Sequence, residues 1–382
     1  MDPCHDVLEC DPGALRVRGP DVVPSPGFEY WFRHRPVLSS SGSGWCGQVL
    51  YPSPLLQGHR GAPGRIGGHR ASAQGHLARY KKTGKPLDIS VIVPSYNSRA
   101  TIERSLGALV SQETELRHEI ICIDSSTDGT GELIAERFPQ VELLRSTKRL
   151  YPGDARNLGI ARAKGGLLGF TDADCIAKPD WIAAVGRAHA SPHPVIGGAV
   201  GNANPESYVG WGYYFTEFNQ WMPGGKAGFM EDIPTCCLSM KREVYEQFGP
   251  FIEGTYCSDT VFNWRLAEAG TQPWYDPAIR VDHLNPTAFL ETLLHEPMHG
   301  RAFATVRARE KQLSRGKLLT YSLLAPLLPP LLYARAAGRA LKRRGTFPRF
   351  LATTPVVLSA ITAWSVGEFA GYLSHALKPG RR

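Results

Sequence analysis

Four short apolar runs, each closed by polar or acidic residues and separated by helix-period segments, constrain this chain more than any other feature. In LDISVIVPSYN, Ile89, Val91, Ile92 and Val93 read as a buried strand stopped by Pro94. A helix is predicted from Arg99 to about Gln112, with Ile102, Leu106, Leu109 and Val110 on one face. HEIICIDSSTDGT is a second strand ending at Asp124, GTGELIAERF a helix, VELLRS a third strand, ARNLGIARAKG a helix and LLGF a fourth strand. Strand and helix alternating in this way specify an α/β fold with an open, mostly parallel sheet flanked by helices. In such sheets ligands bind outside the carboxyl ends of the strands. Ser95, Tyr96, Asn97, Asp124, Asp172 and Asp174 all follow strand ends and are expected on one rim.

At 382 residues with 42% hydrophobic content, the chain is long enough for a substantial core. Its formal charge of +8 is unevenly distributed. Residues 87–306 hold 18 basic and 27 acidic side chains, whereas residues 307–382 hold 14 basic and 2 acidic. The tail's basic charge sits beside apolar runs, which points to anionic membrane lipid as a partner and away from nucleic acid. Residues 1–86 are rich in Gly, Pro, Ser, Arg and His without sustained periodicity and are predicted to be a disordered tail. The start MDPCHDVLEC lacks the basic and apolar regions of a secretory signal. Scattered cysteines, with Cys236 and Cys237 adjacent, argue against a disulfide framework. Cys4, His5, Cys10, His34, Cys46, His59, His69 and His76 contain no CxxC pair and are read as side chains of a loose segment, without zinc.

FTDADC ends the fourth strand in two carboxylates, Asp172 and Asp174, one small residue apart. Two rim carboxylates can share a divalent cation, and Mg2+ is commonly held by one or two carboxylates together with substrate phosphates. A solvated surface turn is the bland alternative, because a DxD triplet is common.

The ordered set VIVPSYN, CIDSSTDGT, ARNLGIARAKG and FTDADC resembles the nucleotide-binding half of the family 2 inverting glycosyltransferases. CCLSMKREVYEQFGPF is similar to that family's acceptor-side segment, and YCSDTVFNWRLAEAG to its base-bearing segment. The likeness covers about residues 87–290. It implies a GT-A fold, a nucleotide-diphospho-sugar donor and Mg2+ or Mn2+ as cofactor. It also implies that Tyr96 stacks on the base, with Pro94 and Asn97 beside it, and that Asp124 bonds the base edge. Arg156 then either faces the diphosphate or orients Asp172, which contacts ribose or sugar. Asp174 ligates the metal, with His283 on the metal or the phosphates, and Asp259 is the general base. A helix N-cap before TVFNWRL is the structural alternative for Asp259. Asp128 is expected to cap its helix, and Asp282 to have no direct role. The family usually carries an acidic residue before its base, where this chain has Ser258.

The resemblance makes the expected activity an inverting, metal-dependent transfer from a nucleotide-sugar, UDP-sugar favoured, to a hydroxyl or phosphate acceptor. Two other readings compete: a non-catalytic sugar-nucleotide-binding scaffold, and a zinc protease through HEPMH, His295–His299. Pro297 in that motif is expected to distort the helical spacing that zinc requires. The tail's apolar runs, 318–334 and 350–373, carry Pro326, Pro329, Pro330, Pro355 and Glu368. The linker between them contains Arg335, Arg339, Lys342, Arg343, Arg344 and Arg349, and a two-span hairpin with a cytosolic catalytic domain places it outside, against the positive-inside tendency. The expectation is therefore a broken, re-entrant or interfacial helical pair on the cytoplasmic membrane face, and a lipid-linked or glycan acceptor of envelope biosynthesis. The implied organisation is a tail, 1–86, a catalytic domain, 87–306, and a membrane-associated helical region, 307–382.

Overall fold

The computed structural model describes residues 87–378. The N-terminal segment, with its early cysteines and histidines, lies outside the described residues. The first half alternates as its periodicity requires: β1 (Ile89–Ser95), α1 (Ile102–Val110), β2 (His118–Asp124), α2 (Thr130–Arg137), β3 (Glu142–Arg145), α3 (Pro152–Arg162) and β4 (Leu167–Phe170). Then come β5 (Cys175–Ala177), α4 (Trp181–Ala188), β6 (Val195–Asn202), α5 (Tyr208–Glu217), β7 (Gly228–Phe229), β8 (Leu238–Lys241), α6 (Arg242–Phe248), α7 (Ser258–Glu268) and β9 (Trp274–His283).

The sheet order is β3-β2-β1-β4-β8-β6-β9-β5, with β7 also on β9. The first four strands are mutually parallel. β8 runs antiparallel to both β4 and β6, and β9 parallel to β6. Ile89, Val91, Ile92 and Val93 are fully buried, as expected for a central strand covered on both faces.

Two local boundaries differ from expectation. β1 continues through Pro94 to Ser95 and stays paired with β2 as far as Asp124. Ile92 accepts from the Thr171 N–H on the β4 side. Pro94, two residues on, faces the same side beyond the end of β4, where no ladder bond is lost. α3 starts at Pro152, earlier than the ARN segment suggested: proline presets the first helical φ, and the Asp154 carboxylate accepts from the Tyr151 N–H at 2.9 Å.

The C-terminal region forms α8 (Phe289–Glu310), α9 (Arg315–Leu324), α10 (Leu328–Leu341), α11 (Phe347–Ala352) and α12 (Thr354–Ala376). Residues 306 and 307 fall within α8. The first apolar run is broken, as its prolines required: a 3-10 turn at Ala325–Leu327 separates α9 from α10. The second breaks only at Thr353, between α11 and α12, and is helical from Thr354 onward because Pro355 lies in the first turn of α12, where its missing N–H costs nothing.

Helix α12 is apolar and long enough to cross a membrane, yet 56% of its most apolar window is buried inside the protein. It packs closely on α8. A Cβ added at Gly367 would stand 2.0 Å from the Pro297 carbonyl oxygen, and one at Gly300 2.1 Å from that of Trp364. The far end of α12 meets α5: Val356 and Ala360 cluster with Tyr213, and a Cβ at Gly212 would strike Val356. The tail is thus joined to the sheet-bearing part by interdigitated backbone.

Gly367→Ala is expected to destabilise by about 1–3 kcal/mol through overpacking. Gly338→Ala, in α10 where an added Cβ meets nothing within 4 Å, is expected to be neutral or stabilising by about 0.5–1 kcal/mol. Denaturant unfolding of both variants checks the pair.

Candidate active site

The parallel register sets Ser95 beside Asp124 at the ends of β1 and β2. Asp124 is buried, and its Oδ1 accepts from Ser95 Oγ at 2.9 Å and Ser126 Oγ at 2.5 Å. Asn97 has a left-handed φ of 49°. Its N–H donates to Ser126 Oγ, and its Oδ1 accepts from the Thr127 N–H at 2.8 Å. Asn97 therefore ties the loop after β1 to the loop after β2. Gly129, and not Asp128, takes the N-cap position of α2; Asp128, one residue earlier, accepts from the N–H and hydroxyl of Thr130.

Pro94, Ser95 and Tyr96 line a cavity whose other wall is Arg149, Leu150, Tyr151, Pro152, Ala155 and Tyr256. The Arg149 guanidinium lies 4.5 Å from the Tyr96 ring centroid and 5.2 Å from that of Tyr151, and donates to the Tyr256 hydroxyl at 2.8 Å. Sequence reasoning missed Arg149, Tyr151 and Tyr256. Pro152 at the first helical position was a usable sign that Leu150 and Tyr151 precede a helix N-terminus at the rim. Nothing local marked Tyr256 as their neighbour.

Beyond β4 the donor Nη2 of Arg156 reaches Asp172 Oδ1 at 2.9 Å, with both side chains about 1% exposed. Of the two roles the sequence allowed Arg156, this geometry is the orienting one. Burial raises the Asp172 pKa, opposed by Arg156 and reinforced by Asp174. Asp172 Oδ2 is buried without a hydrogen-bond partner. Ser258, in the place of the usual acid, lies 3.5 Å from Arg156 Nη1 through its hydroxyl. A neutral neighbour there leaves the guanidinium's charge matched to Asp172.

Antiparallel pairing of β5 with β9 sets Cys175 opposite His283. This brings Asp174 Oδ2 to 3.4 Å from His283 Nε2, with both side chains buried. His283 Nδ1 contacts Asn285 Oδ1 at 3.1 Å, which leaves Nε2 facing the Asp174 carboxylate as the nitrogen to ligate. Burial opposes charge on His283, but Asp174, Asn285 and Asp172 together hold its pKa above the ordinary value. Among the described residues, Asp174, Cys175 and His283 form the one group of three such side chains with ligand atoms within 4.8 Å of one another. Burial raises the Cys175 pKa well above its usual value, so the thiol stays protonated and the usable ligands are the carboxylate and the imidazole. That pair suits a hard or borderline divalent cation completing its shell with phosphate oxygens and water. Asp282, beside it in sequence, instead pairs with Lys178 at 2.5 Å and Arg280 at 2.9 Å.

Asp259 is fully buried in the first turn of α7. The N-cap position belongs to Cys257, whose φ of 66° is left-handed, so the N-cap alternative for Asp259 is corrected. Its carboxylate accepts from the Thr260 N–H at 2.6 Å and from Thr235 Oγ1 at 3.3 Å. Left-handed backbone at two non-glycine rim residues, Asn97 and Cys257, is strain of the kind that clusters at functional sites.

The HEPMH segment lies in α8, which passes through Pro297 without a break. The expected disruption does not occur, and packing on α12 accounts for it. Among the described residues, no third metal-ligating side chain joins His295 and His299, so the protease reading lacks its zinc site.

Residues 90–248 match the model of "Glycosyl transferase family 2". Glycosyltransferase AglE of Haloferax volcanii is 28% identical over 169 residues, 43% of this chain and 55% of that protein. Pre-mycofactocin glycosyltransferase of Mycobacterium tuberculosis is 21% identical over 280 residues, 67% of this chain and 58% of that protein. Succinoglycan biosynthesis protein ExoO of Rhizobium meliloti is 34% identical over 97 residues, 25% of this chain and 28% of that protein. The chain thus spans little more than half the length of these curated relatives, or less. The mannosyltransferase PcManGT from Pyrobaculum calidifontis, solved with GDP-Man and Mn2+, aligns with a TM-score of 0.46 at 18% identity, covering 81% of each chain. The α/β sheet, the strand-end carboxylates and the family match fall on one segment, so residues 90–248 are similar to the family 2 glycosyltransferases.

Proposed function

We propose that this protein transfers a sugar from a nucleotide-diphospho-sugar to an acceptor hydroxyl or phosphate with inversion at the anomeric carbon. The observation that carries the reading is the buried Asp174–His283 pair beside the Arg156–Asp172 pair at the strand ends. Asp174 and His283 would hold Mg2+ or Mn2+, whose chemistry when bound is neutralisation of charge on the departing diphosphate. Tyr96 offers an aromatic face to the base and Asp124 a carboxylate acceptor for its N–H edge, a combination that favours a uridine nucleotide. Asp172, held by Arg156, is oriented to accept hydroxyls of the ribose or sugar. Asp259 takes the acceptor proton as general base, and bonds from Thr235 and the Thr260 N–H fix its carboxylate.

A membrane-side acceptor is supported by the surface of α9, its following turn and α10. Leu323 is 77% and Leu327 62% exposed, with Leu319, Leu324 and Leu331 beside them. Arg315, Lys317, Lys342 and Arg344 are exposed within the same region. Helices of 10 and 14 residues are too short to span a bilayer, which favours an interfacial seat among anionic headgroups. The second apolar run takes little part, because much of α12 is buried against α8.

Asp174→Ala is expected to abolish Mn2+-dependent binding of UDP, measured by thermal shift on detergent-solubilised protein. Asp259→Asn is expected to retain that binding while turnover falls about 10²–10⁴-fold. A wild-type protein that binds UDP but neither transfers from nor hydrolyses UDP-sugars is the result that favours the sugar-nucleotide-binding scaffold, and one that binds no nucleotide diphosphate overturns both readings. Co-sedimentation with vesicles containing phosphatidylserine checks the membrane reading. Wild type should pellet with the vesicles, and Leu323→Asp/Leu327→Asp should remain in the supernatant.

A further inference from the structure

The HEPMH segment leaves a buried histidine unexplained. Both ring nitrogens of His295 lack a hydrogen-bond partner although the residue is only 9% exposed. Buried polar groups are almost always paired, so an unmatched imidazole calls for a ligand. Its neighbours identify the chemistry. His299 follows one turn later on the same helix face, and its ring centroid lies 4.7 Å from that of Tyr256. Tyr256 in turn accepts from Arg149, the cationic wall of the cavity shared with Tyr96.

Arg149 can only donate, and each imidazole can donate from one nitrogen when neutral and from both when charged. Burial lowers the His295 pKa, opposed by Glu291 and aided to a lesser degree by Arg149. Burial, then His295 and Arg149, take His299 down to about 3. Burial thus keeps both imidazoles neutral, and each can give one N–H to an anion that the Arg149 guanidinium attracts. Next to this face, α8 exposes Leu290, Leu294 and Met298 at four-residue spacing, an apolar path beside the two histidines.

We propose that His295, His299 and Arg149 form a phosphate-binding subsite at the edge of the nucleotide cavity. The proposal rests on the transferase reading, in which a phosphate can come from the donor's diphosphate or from a phosphate-bearing amphiphilic acceptor. The ligand chemistry is the same in both cases.

The test is calorimetric titration of the detergent-solubilised full chain with UDP plus Mn2+ and with decyl phosphate below its micellar concentration. Wild type, His295→Gln and His299→Gln are compared. At least one probe should bind the wild type, and both variants should bind that probe about tenfold or more weakly, as expected for loss of a hydrogen bond to a charged group. Decyl phosphate that still binds at saturating UDP assigns the phosphate to the acceptor. Competition between the two assigns it to the departing diphosphate. Unchanged affinity for every bound probe in both variants overturns the subsite, as does stoichiometric zinc in the purified protein. Nitrogen-detected NMR of the wild-type imidazoles gives a reading independent of mutant folding, and resonances unmoved at saturation with either probe also overturn it. UDP binding that needs Asp174 but is indifferent to both histidines, with no decyl phosphate binding, removes the subsite and leaves the transferase reading standing. Decyl phosphate binding that needs the histidines, without any UDP binding, does the reverse.

Discussion

The arrangement at the sheet's rim depends on one desolvated ion pair, Arg156 with Asp172, closed off from water on both sides. A buried guanidinium and carboxylate are tolerable only as partners, since removing either leaves an uncompensated charge at a cost of about 3–5 kcal/mol. The pair connects three separate elements: α3, the end of β4 and, through Ser258, the start of α7. The last of these carries Asp259. The pair therefore holds the donor side and the proposed base in a common frame, and its geometry explains why a serine suits the position before the base. An acid there would compete with Asp172 for the same cation.

A second constraint comes from the tail. Without Cβ atoms at Gly300 and Gly367, α8 and α12 approach until backbone meets backbone. Dispersion contacts across such an approach are individually weak and collectively large, and they fix how α8 seats on α12 around Pro297. That rigidity has a functional corollary. The helix that carries His295 and His299 packs along α12, and α12 in turn holds the apolar, basic surface of α9 and α10. Membrane association and substrate binding would then share one rigid support.

The parallel half of the sheet was legible because its central strands, β1, β2 and β4, are largely buried and read as apolar runs closed by polar residues. Element ends were less legible. Pro94 reads as a stop, but whether it stops a strand depends on whether a neighbouring strand still needs its missing N–H. The two tail runs look alike in composition, yet one is opened by a proline-containing turn and exposes leucines while the other is largely buried. Hydropathy records the preference for leaving water and is silent on whether lipid or protein provides the alternative.

At the site, Asp172 and Asp174 were evident from their own triplet, because two carboxylates at a strand end are a local pattern. Residue order alone determined the α/β alternation, the rim on which the carboxylates sit and the polarity of the tail. What only the tertiary structure decided is which distant groups meet: His283 beside Asp174 through the β5–β9 register, Arg156 on Asp172, and Tyr256 bridging Arg149 toward His299. Periodicity reports which face of an element is buried. The identity of the partner across that face is set by chain topology and packing, which no local pattern encodes.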